Sequence, residues 1–340
     1  MPPHLLTARL TLAPLAPEMA EDIAAGADDR EVVRWLTRLP FPYGQGDALR
    51  FVETCREGPA WAIRHRHAVI GMVAADDGLG YWLRRDAWGR GLAREAARRV
   101  VDFHFSEGGG DLASSFMDGN AASARILRGL GFEDDGPKVL RSLAAGERPG
   151  RAMLLTRAAW EARTGLPIRT ERLTLDLMRD ADAEALHAMV TIPEVGRNLM
   201  VFPPWWTVAA ARTFIPLCGD LSGPRYRLAV RRDGRLIGSV GFGAPAGGAV
   251  GLAYWLHPDA AGQGFATETA RAAILDFLRR FPDRDALVAG VFQDNPASAR
   301  VLKKLGFRRT GESVRQGDAR MDPAPLWDYR LERAALEGRS

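Results

Sequence analysis

Apolar and polar residues alternate over residues 10–15 and again over 173–178, the period of two that predicts a half-buried strand. In both places a helix-period stretch follows, over residues 17–27 and 180–190. Phe41-Pro42-Tyr43 and Phe202-Pro203-Pro204-Trp205 punctuate the pattern, and a further helix begins at Gly46 or Thr207. Hairpin strands are predicted next, at residues 60–64 and 68–74, and at 226–231 and 236–242 across an Asp233-Gly234 turn. A strand carrying Tyr81-Trp82-Leu83 or Tyr254-Trp255-Leu256 then runs through a glycine-bearing loop into an alanine-rich amphipathic helix, 93–105 or 266–280. A strand (112–117 or 286–292), a helix from Asn120 or Asn295 to Gly131 or Gly306, and two last strands complete the order. Antiparallel strands followed by strand-helix-strand-helix imply an α+β class, with a mixed, mostly antiparallel sheet flanked by helices.

The same order occurs twice because the chain repeats itself. Thr7-Ala8-Arg9-Leu10-Thr11-Leu12 returns as Thr170-Glu171-Arg172-Leu173-Thr174-Leu175, an offset of 163 (170 − 7) that Cys55 and Cys218 share. Tyr81-Trp82-Leu83 and the glycines of the following loop return at 173 (254 − 81). Asn120-Ala121-Ala122-Ser123 and Leu130-Gly131-Phe132 return at 175 (295 − 120) as Asn295-Pro296-Ala297-Ser298 and Leu305-Gly306-Phe307. The growing offset marks short loop insertions, one being residues 241–248 in place of 74–78. A period this long is a whole domain, beyond the roughly 20–50 residues of a solenoid repeat. Two tandem domains are expected, 1–163 and 164–340.

Composition narrows the function classes. With 46% hydrophobic and 26% charged residues the chain reads as an ordinary globular protein, and no apolar run approaches a membrane span. The N-terminus lacks a secretory pattern, so a cytoplasmic protein with no membrane partner is expected. A net charge of +4 with dispersed arginines gives no reason to invoke nucleic acid. Cys55 and Cys218 lie in no Cys/His cluster, which argues for small apolar packing and against a metal.

The informative unit is the loop between strand and helix: Trp88-Gly89-Arg90-Gly91-Leu92-Ala93-Arg94, and Ala261-Gly262-Gln263-Gly264-Phe265-Ala266-Thr267. Glycines allow a ligand close to the backbone, and a helix N-terminus presents unpaired N–H groups suited to phosphate oxygens. Arg84, Arg85, Arg90 and Arg94 surround the first loop, whereas the second has fewer cations. A dinucleotide site uses similar glycines, but Arg94 and Thr267 stand where its third glycine belongs, and several strands precede the loop.

Placed between a strand and a long helix, this loop resembles the (Q/R)-x-x-G-x-(G/A) acetyl-CoA loop of the GNAT superfamily, departing from it at Trp88 and Ala261. Thr-x-Arg-Leu-Thr-Leu, Glu31-Val32-Val33-Arg34-Trp35-Leu36, Pro193-Glu194-Val195, Tyr-Trp-Leu and Asn-x-x-Ser with Leu-Gly-Phe are similar to the subgroup that acetylates N-termini of ribosomal proteins. The resemblance implies two tandem GNAT-like domains. It also implies transfer of acetyl from acetyl-CoA, without a metal, to an amine that is either a protein N-terminus or a small molecule.

The site residues follow from that resemblance. Trp82, Leu83, Trp255 and Leu256 would pair with pantetheine, and the amides of residues 89–94 and 262–267 would hold the pyrophosphate. Asn120 and Asn295 resemble the pantetheine-side asparagine, although helix capping explains them equally. Ser123 and Ser298 are the candidates to protonate the departing thiolate. No base stands out: Glu95 and Glu268 suit a helix dipole, Asp86 and Asp259 suit a turn, and Glu312 or a water chain remains. Tyr81, Trp82, Tyr254 and Trp255 read chiefly as core aromatics, and His104 as a helix-face residue. Trp205 and Trp206 fall where the family lines its acceptor site, and buried packing suits them as well. The acceptor-side segments, 36–46 and 199–207, differ between the copies. The rival to a double enzyme is a chain in which one copy only binds acetyl-CoA or acts as a scaffold. A monomer of two lobes or a loose homodimer is expected.

Overall fold

The computed structural model describes residues 1–243 and 249–337. Most of the predicted insertion at 241–248 lies outside the described residues. The chain divides into two compact units, Met1–Thr164 and Gly165–Ser340.

The first unit runs β1 (Leu5–Leu6), β2 (Leu10–Pro14), α1 (Ala20–Ala27), α2 (Arg30–Val33), α3 (Gln45–Cys55), β3 (Ala60–His65), β4 (Ala68–Ala75) and β5 (Leu79–Leu83). It continues through α4 (Leu92–Ser106), β6 (Leu112–Met117), α5 (Ala121–Gly129), β7 (Glu133–Ser142), β8 (Gly146–Leu155) and α6 (Arg157–Thr164). Its sheet has the order β1-β2-β3-β4-β5-β6-β8-β7, with β5 and β6 parallel and the other neighbours antiparallel.

Side-chain alternation sorts each strand onto two faces. Ala62, Met72 and Trp82 join Ile23, Tyr43 and Val52 under α1 and α3. Trp61, next to Ala62 on β3, turns the other way and meets the Phe103 ring of α4 edge-on at 5.6 Å. Helix α4 covers that second face with Ala96, Ala97, Val100 and Val101, all buried. At its end, Phe105 stacks on Trp160 of α6, whose indole donates to the buried Asp102 carboxylate at 2.8 Å.

The second unit repeats the plan with β9 (Ile168–Arg169), β10 (Thr174–Leu177), α7 (Ala183–Val190), α8 (Pro193–Gly196), α9 (Val208–Phe214), β11 (Tyr226–Arg232), β12 (Arg235–Gly243) and β13 (Val250–Leu256). It ends with α10 (Phe265–Arg280), β14 (Ala286–Phe292), α11 (Pro296–Lys304), β15 (Arg308–Arg315), β16 (Ala324–Glu332) and α12 (Ala334–Glu337). Its sheet order is β9-β10-β11-β12-β13-β14-β16-β15, again with one parallel neighbour pair, β13 and β14. Each unit is therefore the mixed, helix-flanked sheet that the sequence pattern predicts.

Its core is built differently in detail. Tyr226, Phe242, Phe277 and Phe281 cluster on the α10 face, with the Phe242 and Phe277 rings stacked at 4.2 Å. Arg231 is held by Asp176 at 2.8 Å and by both oxygens of Asp182 at 2.8 and 2.7 Å, nearly out of solvent.

Candidate active site

The site begins where the sheet opens. Strands β5 and β6 are registered only at Leu79 opposite Ser114, although β5 continues to Leu83 and β6 to Met117. Strands β13 and β14 are registered only at Val250–Leu287 and Gly251–Val288, and both continue beyond. Past those pairs the two strands bond other neighbours, so each unit has a wedge between adjacent parallel strands. Backbone groups facing a wedge lack ladder partners, and an extended polar ligand can supply them. Trp82 and Leu83, and Trp255 and Leu256, lie on the open part of the strand. On the closed side, Gly71 and Gly238 let the neighbouring strand approach: a Cβ at either would run into the carbonyl oxygen of Trp82 or Trp255.

The glycine loop stands at the mouth of the wedge. Gly91 caps α4 with φ 74° and Gly264 caps α10 with φ 82°. Gly89 and Gly262, at φ 72° and 75°, are left-handed as well. These are conformations that residues with a Cβ adopt at a cost. The loops are exposed from Gly89 to Gly91 and from Gly262 to Gly264, and the first amides of a helix have no intrahelical carbonyl behind them, although in α10 the Thr267 amide donates to the Gly264 carbonyl at 3.1 Å.

A long-range clamp fixes this loop. Glu95 accepts hydrogen bonds from the Thr7 hydroxyl at 2.6 Å, the Arg9 amide at 2.9 Å and Arg9 Nε at 2.7 Å. Arg9 Nη1 then donates to the Arg90 carbonyl at 3.0 Å, inside the loop. Thr170, Arg172, Glu268 and Gln263 repeat every one of these contacts at 2.6–3.0 Å. Burial works to raise the Glu268 carboxyl, but hydrogen bonds from Thr170 and Arg172 outweigh it and hold it below the usual range. The two glutamates are thus bound on all sides, which accounts for the recurring Thr-x-Arg motif and leaves them unsuited as bases. Trp88 adds a bond found only in the first unit: its indole N–H donates to the Leu83 carbonyl at 2.8 Å. Its side chain therefore contributes at a position where the family resemblance assigns mainly backbone.

Opposite the loop, Asn120 caps α5, accepting from the Ser123 amide at 3.1 Å, and Asn295 does the same for Ser298 at 3.2 Å. Capping thus uses the side-chain oxygen of each asparagine. The Ser123 hydroxyl meets the Tyr81 hydroxyl at 3.1 Å, and the Ser298 hydroxyl meets that of Tyr254 at 3.0 Å. Burial pushes both phenols up to about 12, with the serine bond acting weakly the other way. These tyrosines are more than core aromatics: each holds a neutral hydroxyl against the serine at the N-terminus of α5 or α11.

The remaining candidates are engaged by other partners or exposed. Asp86 pairs with Arg84, Asp259 with His257, and Glu312 with Arg309 on an exposed strand. His104 bonds the Gly110 carbonyl at 2.8 Å. Trp205 is 76% exposed, whereas Trp206 packs against Phe202 and Phe214 in the cluster that contains Trp255. Both cysteines are free thiols. Among the described residues no group of three His, Cys, Asp or Glu side chains is placed to hold a metal ion, and no helix is long and apolar enough to cross a membrane.

Comparison with known proteins shows the family. The model of the acetyltransferase (GNAT) domain matches the chain twice, over residues 9–133 and 172–308. The chain belongs to the GNAT acetyltransferase family, and is an acyl-CoA-dependent N-acetyltransferase with the domain present in two copies. It is 30% identical over 148 residues to the uncharacterized N-acetyltransferase p20 of Bacillus licheniformis, covering 42% of this chain and 82% of that protein. It is also 30% identical over 151 residues to the uncharacterized N-acetyltransferase YoaA of Bacillus subtilis strain 168, covering 42% and 84%. Similar solved structures include RimL, a ribosomal L7/L12 alpha-N-protein acetyltransferase in complex with coenzyme A. Its identity is 21% and its TM-score 0.43, with 50% of this chain and 98% of that chain covered. Another is a spermidine N-acetyltransferase from Vibrio cholerae in complex with CoA and spermine (15% identity, TM-score 0.43, 49% and 99% covered).

Proposed function

We propose that both units bind acetyl-CoA in the wedge and transfer its acetyl group directly to an amine. The carrying observation is the recurrence, in each unit, of an open parallel ladder flanked by a left-handed glycine loop on one side and a Ser–Tyr hydroxyl pair on the other. Pantetheine would use the wedge-facing backbone at Trp82 and Leu83, or Trp255 and Leu256, displacing the Trp88 indole where it needs the Leu83 carbonyl, with Asn120 or Asn295 turning its amide nitrogen to the same groove. The pyrophosphate would lie on the amides of Gly89, Arg90, Gly91, Leu92, Ala93 and Arg94, or of Gly262, Gln263, Gly264, Phe265, Ala266 and Thr267.

In the reaction a neutral amine forms a C–N bond to the thioester carbonyl carbon as the C–S bond breaks. The backbone N–H near Leu83 or Leu256 would stabilise the oxyanion. The departing thiolate takes a proton from Ser123 or Ser298, which the neighbouring tyrosine hydroxyl can replace. Burial keeps the phenol protonated at neutral pH, so it holds a proton beside the serine and does not act as a base. The proton lost by the amine passes to water, since Glu95 and Glu268 are bound in the clamp. The acceptor class stays broad at this level: a protein N-terminus or a small amine.

Single-turnover transfer of radiolabelled acetyl tests the proposal. The Ser123→Ala and Ser298→Ala variants, combined, should bind acetyl-CoA normally and release coenzyme A about a hundredfold more slowly. Unchanged release would remove both serines from the mechanism.

A further inference from the structure

The two units differ in one feature of the sheet face under α7 and α9, the face that carries the acceptor-side segment. Trp255 of β13 faces this layer, and Phe202, within the segment 199–207, packs edge-on against its ring at 5.4 Å. Arg227 of β11 lies over the indole, its guanidinium carbon 4.1 Å from the ring centroid. Arg227 Nη1 donates to the Ser239 hydroxyl at 3.3 Å, and Ser239 passes its own hydrogen to the Leu228 carbonyl at 2.9 Å. No carboxylate pairs with Arg227 among the described residues. Arg231, four residues along, is by contrast held by two aspartates.

The Trp255 indole N–H of the same cluster is buried and donates to nothing among the described residues. Loss of solvent pushes the Arg227 guanidinium down to about 10, with no carboxylate to offset it. A buried donor without an acceptor is costly, and a half-buried cation without an anion keeps an unmet demand for one. Strand register shows that the first unit was not built this way. Trp255 opposes Ser239, which opposes Ala229, as Trp82 opposes Met72 and Met72 opposes Ala62. Arg227 and Ser239 therefore correspond to Ala60 and Met72.

We propose that the second unit selects an acceptor amine that also carries an anionic group, a carboxylate or a phosphate, and that Arg227 and the Trp255 indole N–H receive that anion. A guanidinium matches either group with paired hydrogen bonds. Because Trp255 directly precedes Leu256 on the open strand, an anion held there belongs to a molecule whose amine can reach the wedge. The inference rests on the acetyl-transfer reading above and specifies its acceptor.

The test uses the full chain carrying Gly91→Val, so that turnover comes from the second unit. Coenzyme A release is measured with two matched acceptor pairs: alanylglycine against alanylglycinamide, and phosphoethanolamine against ethanolamine. In at least one pair the anionic member should show a kcat/KM about tenfold higher. Arg227→Gln should erase that preference by raising KM for the anionic member alone, and Arg227→Lys should keep part of it. The pair that responds distinguishes carboxylate from phosphate. Equal or better use of the neutral member in both pairs overturns the proposal, as does an Arg227→Gln variant that weakens both members alike. Bound acetyl-CoA without transfer to any of the four also overturns it. Transfer without anion preference leaves the acetyl-transfer reading standing, whereas absence of both transfer and acetyl-CoA binding in calorimetry removes that reading too.

Discussion

Arg9 Nη2 lies 2.6 Å from Glu95 Oε2, and through this ion pair the turn between β1 and β2 grips the helix that follows the glycine loop. Arg9 bonds the Arg90 carbonyl as well, so the pair sets the loop and not merely the helix. Arg172 and Glu268 have the same relationship, also at 2.6 Å. Arg9 is about half exposed, so the ion pair itself contributes little stability; its effect falls on loop geometry.

Arg9→Ala and Arg172→Ala should therefore each weaken acetyl-CoA binding at their own loop about tenfold while shifting the denaturation midpoint little. Equilibrium binding and chemical denaturation on the same preparations separate the two effects. Equal losses in both would mean that the clamp serves folding alone.

Gly91→Val and Gly264→Val ask more of the loop. Each places a β-branched residue at a left-handed φ, at a cost of roughly 1–3 kcal/mol, and adds a side chain where the backbone should meet the pyrophosphate. Each variant should lose one bound acetyl-CoA per chain and stay folded. An unaltered stoichiometry in either variant would place the cofactor elsewhere in that unit.

The tyrosine–serine pairs carry a pH signature. The folded pKa of Tyr81 and Tyr254 lies near 12, above the unfolded value near 10. The unfolded chain thus releases these protons first, and the stability they contribute is present below about pH 10 and is lost as pH rises toward 12. Replacing both by Phe should flatten the fall in denaturation midpoint across that window and lower kcat about a hundredfold near neutral pH. An unaltered slope would show that the two phenols are not held neutral by the fold.

Much of this was legible in the sequence. The duplication, the strand and helix order and the glycine loop rest on local pattern, where periodicity and turn chemistry act over a few residues. What escaped it depends on contacts between distant segments. Thr7-x-Arg9 is visible as a repeated motif, yet only the fold brings it to Glu95. Tyr81 reads as a core aromatic because its partner, Ser123, is 42 residues away. Arg227 looks like any strand arginine until the sheet register sets it beside Trp255 and away from the aspartates that hold Arg231. The one local signal available for these residues was recurrence: the Thr-x-Arg, Tyr-Trp-Leu and Asn-x-x-Ser motifs return together, as parts of one site would.

Arg231 supplies a prediction about stability alone. Its side chain is 8% exposed and neutralises Asp176 and Asp182. Arg231→Met would leave Asp182 without its cation and Asp176 with Arg179 alone, and should destabilise the second unit by about 3–5 kcal/mol. Thermal unfolding should then separate into two transitions, with the first unit melting as before. A single unshifted transition would contradict the assignment of this network to the second unit's stability.

The central claim, that both units hold acetyl-CoA, is met most directly by calorimetric titration of the full chain with acetyl-CoA. The account predicts two molecules bound per chain, falling to one in Gly91→Val or Gly264→Val. A single bound molecule in the unaltered chain would make one unit a scaffold, and no binding at all would contradict the account as a whole.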